Sequence, residues 1–431
     1  MASLTWFQTP EALKTTRDFH YEYAREPSEM NEAKERHKEI MGELIHYLKN
    51  EKGILKRCEF TGSAYEGIKV GGKELEFDVM FVLNGGNKLR AEKDVTSNRY
   101  GHLFPKGYDD QAKFKKFKEP GSDAVIPERV RDWFHGELQL WLNKRISKQP
   151  HLRNEVKIRY SGPAVRAIVY RNGQEWYFVD LVPAYEVKNG RTHELYVAKP
   201  RSDNHTLWRH SLSVEEKDKL KNIDGPDNGC RKKIIRILKV VRDREPGLDK
   251  MVSFYIKNLV INMTENHVPN LDWSEKKLAI RLHDVMLEMA RCMDEGKLYH
   301  PCCSSMNVLE DLNWMIRQNI SSRLRRIVRS DQEAMKVFGI NTFGSMMNSL
   351  FGFDEAHSSM RQEAEDTALE PFYNRFDEAT SLQPRGGLRQ QQEESDQTGS
   401  WLFGVGAAAT VIGVGLLGAY GVHKYNQSKK E

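Results

Sequence analysis

Residues 61–83, TGSAYEGIKVGGKELEFDVMFVL, decide the fold, because they join a Gly-Ser turn to an apolar strand that begins with two acids. Residues i and i+2 of a strand point to the same side, so Glu76 and Asp78 share one face while Phe77 points to the other. Two neighbouring carboxylates repel each other, and a bound cation removes that cost. The pair therefore predicts a site for one or two Mg²⁺ ions, which prefer oxygen ligands, with Mn²⁺ as the substitute.

A third acid completes this pattern. Asp180 is a lone acid inside the apolar strand EWYFVDLVPAYEV, and a buried carboxylate needs a partner or a metal. Three acids predict a two-metal site, whose ions lie about 3.5–4 Å apart. Gly62 permits a tight turn, and Ser63 with nearby backbone N–H groups can hold the phosphates of a nucleotide. Taken alone the Gly-Ser pair indicates an ordinary turn, and only the combination with the acids favours a nucleotide site.

Composition sets the broad class of the chain. Its 431 residues, 39% of them hydrophobic, suffice for two domains or one bilobed body with appendages. Five cysteines without regular spacing favour reduced thiols of the cytosol over a disulfide framework, and residues 1–20 lack the apolar core of a signal peptide. The net charge of +5 is uneven, since residues 354–398 carry −7 and residues 1–353 carry +10. A basic body favours polyanionic partners, either nucleotides or nucleic acid.

Periodicity predicts an α+β protein with two lobes. Residues 30–50 and 131–148 have helical spacing, which predicts two amphipathic helices. Residues 84–125 are polar and interrupted by Gly and Pro, which predicts a long excursion outside the core. The strands of 156–187 are followed after about residue 205 by successive helices. We therefore expect a mixed β-sheet catalytic lobe and an all-helical C-terminal lobe. The predicted divisions are a core lobe with a long N-terminal helix at 1–200, a helical lobe at 201–353, a disordered acidic linker at 354–398 and a membrane tail anchor at 399–431.

The predicted anchor is residues 401–420, WLFGVGAAATVIGVGLLGAY, a run of 20 residues without a charge. This length matches a helix that spans a bilayer, and small residues such as Gly406 and Gly413 would permit close pairing of two such helices. A buried core helix is the alternative. The pattern favours a single-pass, tail-anchored protein with its catalytic domain in the cytosol, on the mitochondrial outer membrane or the endoplasmic reticulum.

The order of Gly-Ser turn, acid pair and later acid resembles nucleotidyltransferases of the polymerase β type. The wider sequence is similar to cyclic GMP-AMP synthase and its invertebrate receptor relatives over about residues 30–345. The stretches that carry the similarity are TGSAYEGIKV, EFDVMFVL, SGPAVRAIVY, YFVDLVPAYEV, LWRHSLSVEEKDKL, CRKKIIRILK and SFYIKN. Other members of the same fold family are non-catalytic adaptors of an organelle membrane, so the resemblance leaves both functions open.

The resemblance implies a role for individual residues. The metal ligands of the family fall on Glu76, Asp78 and Asp180, and its phosphate-contacting serine falls on Ser63. Its nucleotide-binding lysine on the helical lobe falls on Lys239, and the arginine that contacts a base falls on Arg209. The serine and the base-stacking aromatic residue fall on Ser253 and Phe254, where Phe254 replaces a tyrosine and lacks its hydroxyl.

One departure from the vertebrate enzyme concerns zinc. That enzyme inserts a thumb with one His and three Cys before the helix written here CRKKIIRILK, whereas this chain has a single cysteine, Cys230, and no His at that place. We therefore expect no zinc, and DNA loses support as an activator. His300, Cys302 and Cys303 could suggest another zinc site, but no fourth ligand is near them and core packing is the simpler interpretation.

The resemblance implies synthesis of a cyclic dinucleotide of the cyclic GMP-AMP type from ATP and GTP by an innate immune sensor. Three basic clusters could bind an activating polyanion: KFKKFK at 113–118, RLRRIVR at 323–329, and the face of Lys232, Arg236 and Lys239. A solvated charged surface is the simpler interpretation of each cluster. A basic surface without base-reading motifs would suit double-stranded RNA, which proteins recognise by shape and backbone. The rival hypothesis is a catalytically inactive, nucleotide-binding adaptor of an organelle membrane.

Overall fold

The computed structural model of the protein describes residues 5–339, except 72–73, 163, 202, 228 and 268–270 and the side chains of 266 and 267. The predicted linker at 354–398 and the predicted anchor at 399–431 lie outside the described residues. None of the helices within the described range is long and apolar enough to cross a membrane.

Among the described residues, a mixed sheet of nine strands forms the first lobe. The strands are β1 Leu55–Thr61, β2 Leu75–Leu83, β3 Leu89–Lys93, β4 Tyr100–Pro105, β5 Val156–Ser161, β6 Ala164–Arg171, β7 Gln174–Asn189, β8 Thr192–Val197 and β9 Trp208–Ser211. The main path of the sheet runs β1-β2-β7-β8-β9-β4-β3, β6 pairs with the first half of β7, and β5 pairs with β6. The pair of β2 and β7 is parallel, and the other pairs of these nine strands are antiparallel.

The central strand β2 is buried on both faces. Phe77, Val79 and Phe81 enter the main core of the lobe, while Met80 and Val82 enter a smaller apolar cluster on the opposite face. This explains why the sequence of β2 is almost continuously apolar, as strands covered on both sides are. The acids Glu76 and Asp78 lie on the face of the smaller cluster, at the end of the strand that this cluster leaves uncovered.

Two helices cover the other face of the sheet. In α2, Met30–His46, the apolar positions Ile40, Met41 and Leu44 are buried in the main core, and a single π-helical turn extends the helix to Glu51. The prediction of a helix over 30–50 is confirmed. The helix α4, Pro127–Lys148, begins four residues before the predicted start, because proline suits the first turn of a helix and Glu128 follows it there.

The prediction for residues 84–125 is wrong. We expected an irregular excursion outside the core, but this segment supplies β3, β4 and the helix α3, Tyr108–Phe114, and extends the sheet. Leu89, Leu103, Phe114 and Phe117 are buried in the main core. β3 and α3 each bury one side chain, Leu89 and Phe114, and β4 is only six residues long, so the polar residues between these elements hide the pattern.

Helices form the second lobe around their own apolar cluster. This cluster includes Trp6, Phe7 and Phe19 from the N-terminus, so α1 packs with the C-terminal helices. The lobe is not all-helical as predicted, because the short strands β10, Tyr299–His300, and β11, Cys303–Asn307, pair as a hairpin. The helices are α1 Pro10–Tyr23, α5 Ser213–Asp224, α6 Arg231–Arg244, α7 Ser253–Asn262, α8 Leu278–Glu295, α9 Trp314–Arg329 and α10 Asp331–Phe338. The predicted α+β architecture with a mixed sheet and a helical C-terminal region is otherwise confirmed.

Candidate active site

The Gly-Ser turn follows β1 and lies directly against the acids. Gly62 has φ +80°, a left-handed conformation that favours glycine, and its carbonyl accepts hydrogen bonds from the N–H groups of Tyr65 and Glu66, both at 3.1 Å. A Cβ atom at position 62 would lie 2.0 Å from Oδ2 of Asp78. Glycine is therefore required both by the backbone conformation and by the approach of Asp78, and Ser63 next to it is half-buried in the turn.

The three predicted acids come together on one face of the sheet. Asp78 on β2 is the direct neighbour of Asp180 on β7 in the parallel register, and Glu76 lies two residues earlier on the same face. Burial and then the charge of Glu76 raise the pKa of Asp78 to about 6, with Asp180 adding to the rise and Lys199 opposing it. The negative charges are thus close enough to penalise one another.

Two cations that sequence analysis missed lie beside these acids. The Arg166 guanidinium on β6 donates from Nε to Oδ1 of Asp180 at 2.8 Å and from Nη2 to Oε1 of Glu76 at 2.7 Å. Burial and the nearby Arg209 lower the pKa of Lys199, while all three acids act to raise it. The sequence did contain a signal for Arg166, because Arg166 is the single basic residue inside the apolar strand AVRAIVY. Asp180 is likewise the single acid inside the apolar stretch YFVDLVPAY.

The chemistry of this donor set fits a divalent cation. Three carboxylates on one sheet face supply the oxygen ligands that Mg²⁺ and Mn²⁺ take, and their mutual repulsion is the cost that such an ion removes. In the part of the chain that the structure describes, no three His, Cys, Asp or Glu side chains are placed so that they hold an ion together. The cation between Glu76 and Asp180 is the guanidinium of Arg166.

The predicted nucleotide-binding residues of the helical lobe lie in two places, Lys239 on α6 and the pair Ser253 and Phe254 on α7. Lys239 on α6 is buried and its Nζ donates to the carbonyl of Ile68 at 2.7 Å, so it touches the chain just beyond the Gly-Ser turn. Ser253 and Phe254 begin α7. Ser253 Oγ accepts a hydrogen bond from Arg242 at 2.8 Å, and the Phe254 ring lies 6.0 Å from the ring of His300.

Arg209 lies on β9, where it pairs with Val197 near the end of β8, and its charge acts on Lys199. Burial and then the charge of Arg99 lower the pKa of Arg209. Arg209 therefore belongs to the group of cations on the acid-bearing side of the sheet, and its contact with a base stays a prediction.

A buried network of charges joins the two lobes. Lys257 on α7 donates to Glu66 of the TGSAYEG segment at 3.0 Å and pairs with Glu216 on α5 at 2.6 Å. His300 Nε2 bonds the other oxygen of Glu216 at 2.6 Å, and His300 Nδ1 accepts from the N–H of Cys302 at 3.0 Å. His300 is thus buried with both ring nitrogens engaged, as the core-packing interpretation expected.

The basic clusters are partly neutralised by acids. In KFKKFK, Lys113 pairs with Asp110 at 3.5 Å and Lys118 with Asp123 at 2.8 Å. In RLRRIVR, Arg323 pairs with Glu245 and Glu333, and Arg325 pairs with Asp294. The third basic cluster, the face of Lys232, Arg236 and Lys239, points toward the turn region, where Arg236 donates to the carbonyl of Gly67 at 3.3 Å. This third face therefore belongs to the junction of the lobes.

The mixed sheet, the turn and the acids together define the fold and site arrangement of a nucleotidyltransferase. Residues 64–222 match the Mab-21 protein nucleotidyltransferase domain, and residues 230–326 match the Mab-21 protein HhH/H2TH-like domain. The first match covers the sheet from β2 to β9, and the second covers most of the helical lobe. Together with the similarity to two cyclic GMP-AMP synthase-like receptors, these matches support the cyclic GMP-AMP synthase-like family.

Three curated proteins are similar to this chain. Cyclic GMP-AMP synthase-like receptor 3 of Stylophora pistillata is 28% identical over 312 residues, which is 69% of this chain and 88% of that protein. Mitochondrial dynamics protein MID51 of Danio rerio is 28% identical over 135 residues, 30% of this chain and 27% of that protein. A cyclic GMP-AMP synthase-like receptor of Magallana gigas is 28% identical over 115 residues, 26% of this chain and 19% of that protein.

Proposed function

We propose that this protein is a metal-dependent nucleotidyltransferase that makes a cyclic dinucleotide of the cyclic GMP-AMP type from ATP and GTP. The observation that carries the proposal is the acidic face itself, where Glu76, Asp78 and Asp180 come together against the glycine turn at Gly62. Mutual repulsion of buried acids destabilises a fold, so its presence favours a role in binding cations. The similarity to a receptor over 88% of its length supports the same class.

Each residue has a distinct task in the proposed reaction. Bound Mg²⁺ or Mn²⁺, held by the three acids, would neutralise triphosphate charge and activate a ribose hydroxyl for attack on the α-phosphate, with pyrophosphate leaving. Ser63 and the backbone N–H groups of its turn would bind phosphate oxygens, and positioning accounts for most of the rate gain in phosphoryl chemistry. Lys239 and Ser253 would contact nucleotide from the helical lobe, Phe254 would stack on a base, and Arg209 would contact a base.

The sensor role is part of the proposal. The charge of +10 on residues 1–353 supports a polyanionic trigger, and double-stranded RNA suits a surface that reads shape and backbone. Arg326 and Arg329 on the last turn of α9 are basic residues of that surface. Membrane attachment through residues 401–420, on the mitochondrial outer membrane or the endoplasmic reticulum, would hold the catalytic domain on the cytosolic side. Fractionation of cells that express the chain with and without residues 399–431 tests the attachment.

The test of catalysis uses the full-length chain purified in mild detergent. Labelled ATP and GTP are supplied with Mg²⁺ or Mn²⁺ in three parallel reactions, one without a duplex, one with double-stranded RNA and one with double-stranded DNA. The products are resolved after phosphatase treatment. We expect a phosphatase-resistant product that depends on one of the duplexes. Asp180→Asn should reduce it more than about a hundredfold, the scale for loss of a charge-stabilising group at the reacting centre. The matched control is Glu175→Gln, an exposed carboxylate on the same strand.

The second candidate function is a nucleotide-binding adaptor without catalysis. Two observations favour it: the similarity to Mitochondrial dynamics protein MID51 over 135 residues, and the guanidinium of Arg166 between two of the acids. An adaptor would bind ATP or GTP, and its binding would not require the acids. A folded protein that binds nucleotide, makes no product under any condition and binds equally well as Glu76→Ala with Asp78→Ala would establish the adaptor and exclude the synthase.

A further inference from the structure

Arg166 is a feature of the acidic face that the proposed reaction does not use. It lies on β6, directly across the antiparallel ladder from Asp180. Its guanidinium makes three hydrogen bonds to the acids, since Nη2 also reaches Oδ2 of Asp180 at 3.2 Å in addition to the two shorter bonds. The ring of Phe178, two residues before Asp180, lies 5.2 Å from the guanidinium carbon and supports it from the side.

The geometry engages the oxygens that a metal ion would need. Both carboxylate oxygens of Asp180 and one of Glu76 accept hydrogen bonds from the same side chain. An arginine is charged at every relevant pH and presents its donors in a planar fork that matches carboxylates. The pair is also sheltered, because the Asp180 side chain is only 14% exposed and the Arg166 side chain 25%. This ion pair is therefore stronger than those of the protein surface.

A divalent ion and this guanidinium repel each other if both contact the same two carboxylates, because all four charges lie within a few ångströms in a partly buried site. Two arrangements would resolve the conflict. Arg166 could stay and orient the ligands from behind, which would raise metal affinity, or it could compete with the ion, which would lower it. The second is favoured because the guanidinium engages both oxygens of Asp180 and one oxygen of Glu76, so an ion that takes these oxygens meets the guanidinium at the same atoms.

We propose that Arg166 is an internal counter-ion that closes the acidic site, so that a divalent metal has to displace its guanidinium from Glu76 and Asp180. The inference rests on the proposed function in one respect, because it takes these acids to be metal ligands. The proposal gives the site a threshold in metal concentration: at low metal concentration Arg166 holds the acids, and the site opens only when the metal is concentrated enough to outcompete the guanidinium.

The experiment measures Mn²⁺ binding to the full-length protein without nucleotide, by the electron paramagnetic resonance signal of free Mn²⁺. Arg166→Gln should lower the apparent Kd for Mn²⁺ by about tenfold or more, the factor expected when hydrogen bonds to charged groups no longer compete. Arg166→Lys keeps the charge but cannot bridge both carboxylates, so its Kd should lie between the two. The matched control is Arg171→Gln on the same strand, which breaks an exposed pair with Glu32 at 2.8 Å and a contact with the ring of Trp176, neither of which involves the three acids.

The sign of the change decides the inference. An equal or weaker affinity of Arg166→Gln for Mn²⁺ overturns it and makes Arg166 a supporting residue. Should Arg166→Gln fail to fold, Arg166→Lys alone keeps the test, since unchanged or weaker binding by that variant has the same meaning. Combining Arg166→Gln with Asp180→Asn should abolish the gain in affinity for Mn²⁺. If Arg166→Gln binds Mn²⁺ more tightly but neither the wild type nor any variant makes product, the synthase proposal fails and the counter-ion assignment stands. If product is made but the affinity for Mn²⁺ does not rise, the counter-ion assignment fails and the synthase proposal stands.

Discussion

Two clusters of charged side chains, the acidic face and the network between the lobes, differ in how their charges balance. In the inter-lobe network, Lys257 lies between Glu66 and Glu216, and His300 caps the second acid, so every carboxylate has a close partner. On the acidic face, three carboxylates share Arg166 and Lys199, and the pKa of Asp78 is raised to about 6 by burial and by Glu76.

The two clusters should respond differently to the loss of a side chain. In the network, burial alone would raise the pKa of Glu216, but Lys257 and His300 outweigh it and the net shift is downward. Removing a partner there leaves a buried charge unpaired, whereas removing an acid from the acidic face relieves repulsion. We therefore expect the acidic face to serve binding and the inter-lobe network to serve stability.

The largest effect on stability is expected from Lys257→Met. It leaves Glu66 and Glu216 buried without their common partner, which should lower the free energy of unfolding by about 3–5 kcal/mol. Urea unfolding followed by circular dichroism measures it. The control Lys219→Met breaks a partly exposed pair with Glu265 at 2.6 Å and should change stability by less than about 1 kcal/mol. A loss below 1 kcal/mol for Lys257→Met would erase the contrast between the two clusters.

A smaller effect is expected from Gly62→Ala at the acidic face. The positive φ and the contact with Asp78 should together lower the free energy of unfolding by about 1–3 kcal/mol. Two alanine controls separate the causes. Gly53 has φ +63° and open space around it, and Gly136 lies inside α4 with open space, where alanine should stabilise by about 0.5–1 kcal/mol. If Gly62→Ala costs no more than Gly53→Ala, Asp78 does not press on the turn.

The paired acid Glu216 should also be visible in the pH dependence of stability. Its pKa is lowered in the folded protein from an ordinary value of 4.5, so its contribution is complete above pH 4.5 and disappears as the pH falls through the folded pKa. Glu216→Gln should therefore be less stable than the wild type at pH 7 and lose less on acidification to pH 4. Unfolding curves at both pH values test this, with Glu265→Gln expected to follow the wild type. Parallel losses in all three proteins would contradict the pairing.

The smallest effect on stability is expected from Glu76→Ala with Asp78→Ala. Removing repelling charges should offset the lost contact of Glu76 with Arg166, so the free energy of unfolding should stay within about 1 kcal/mol of the wild type. The same double variant should lose product synthesis and Mn²⁺ binding. Thermal unfolding beside the product assay checks both, and a loss of stability comparable to that of Lys257→Met would show that these acids support the fold instead.

The acids of the candidate site were predictable from the sequence, and two of the cations beside them, Arg166 and Lys199, were not. The two-residue period of β2 places Glu76 and Asp78 on one face from sequence alone, and the helical spacing of residues 30–50 and 131–148 predicts α2 and α4. Residues 84–125 were misjudged because β3 and α3 each bury one side chain, Leu89 and Phe114, and the short strand β4 contains Gly101 and Pro105, which are untypical of strands.

Local sequence patterns are enough to predict a feature that depends on neighbours within a few residues, such as the acid pair, the turn and the amphipathic helices. The approach of Asp78 to Asp180 depends on the parallel pairing of β2 with β7 across a hundred residues of chain, and the contact of Arg166 with both strands depends on a third strand in register. Charges so distant in sequence meet only after the sheet has formed, so their balance, which decides what the site binds, belongs to the tertiary structure.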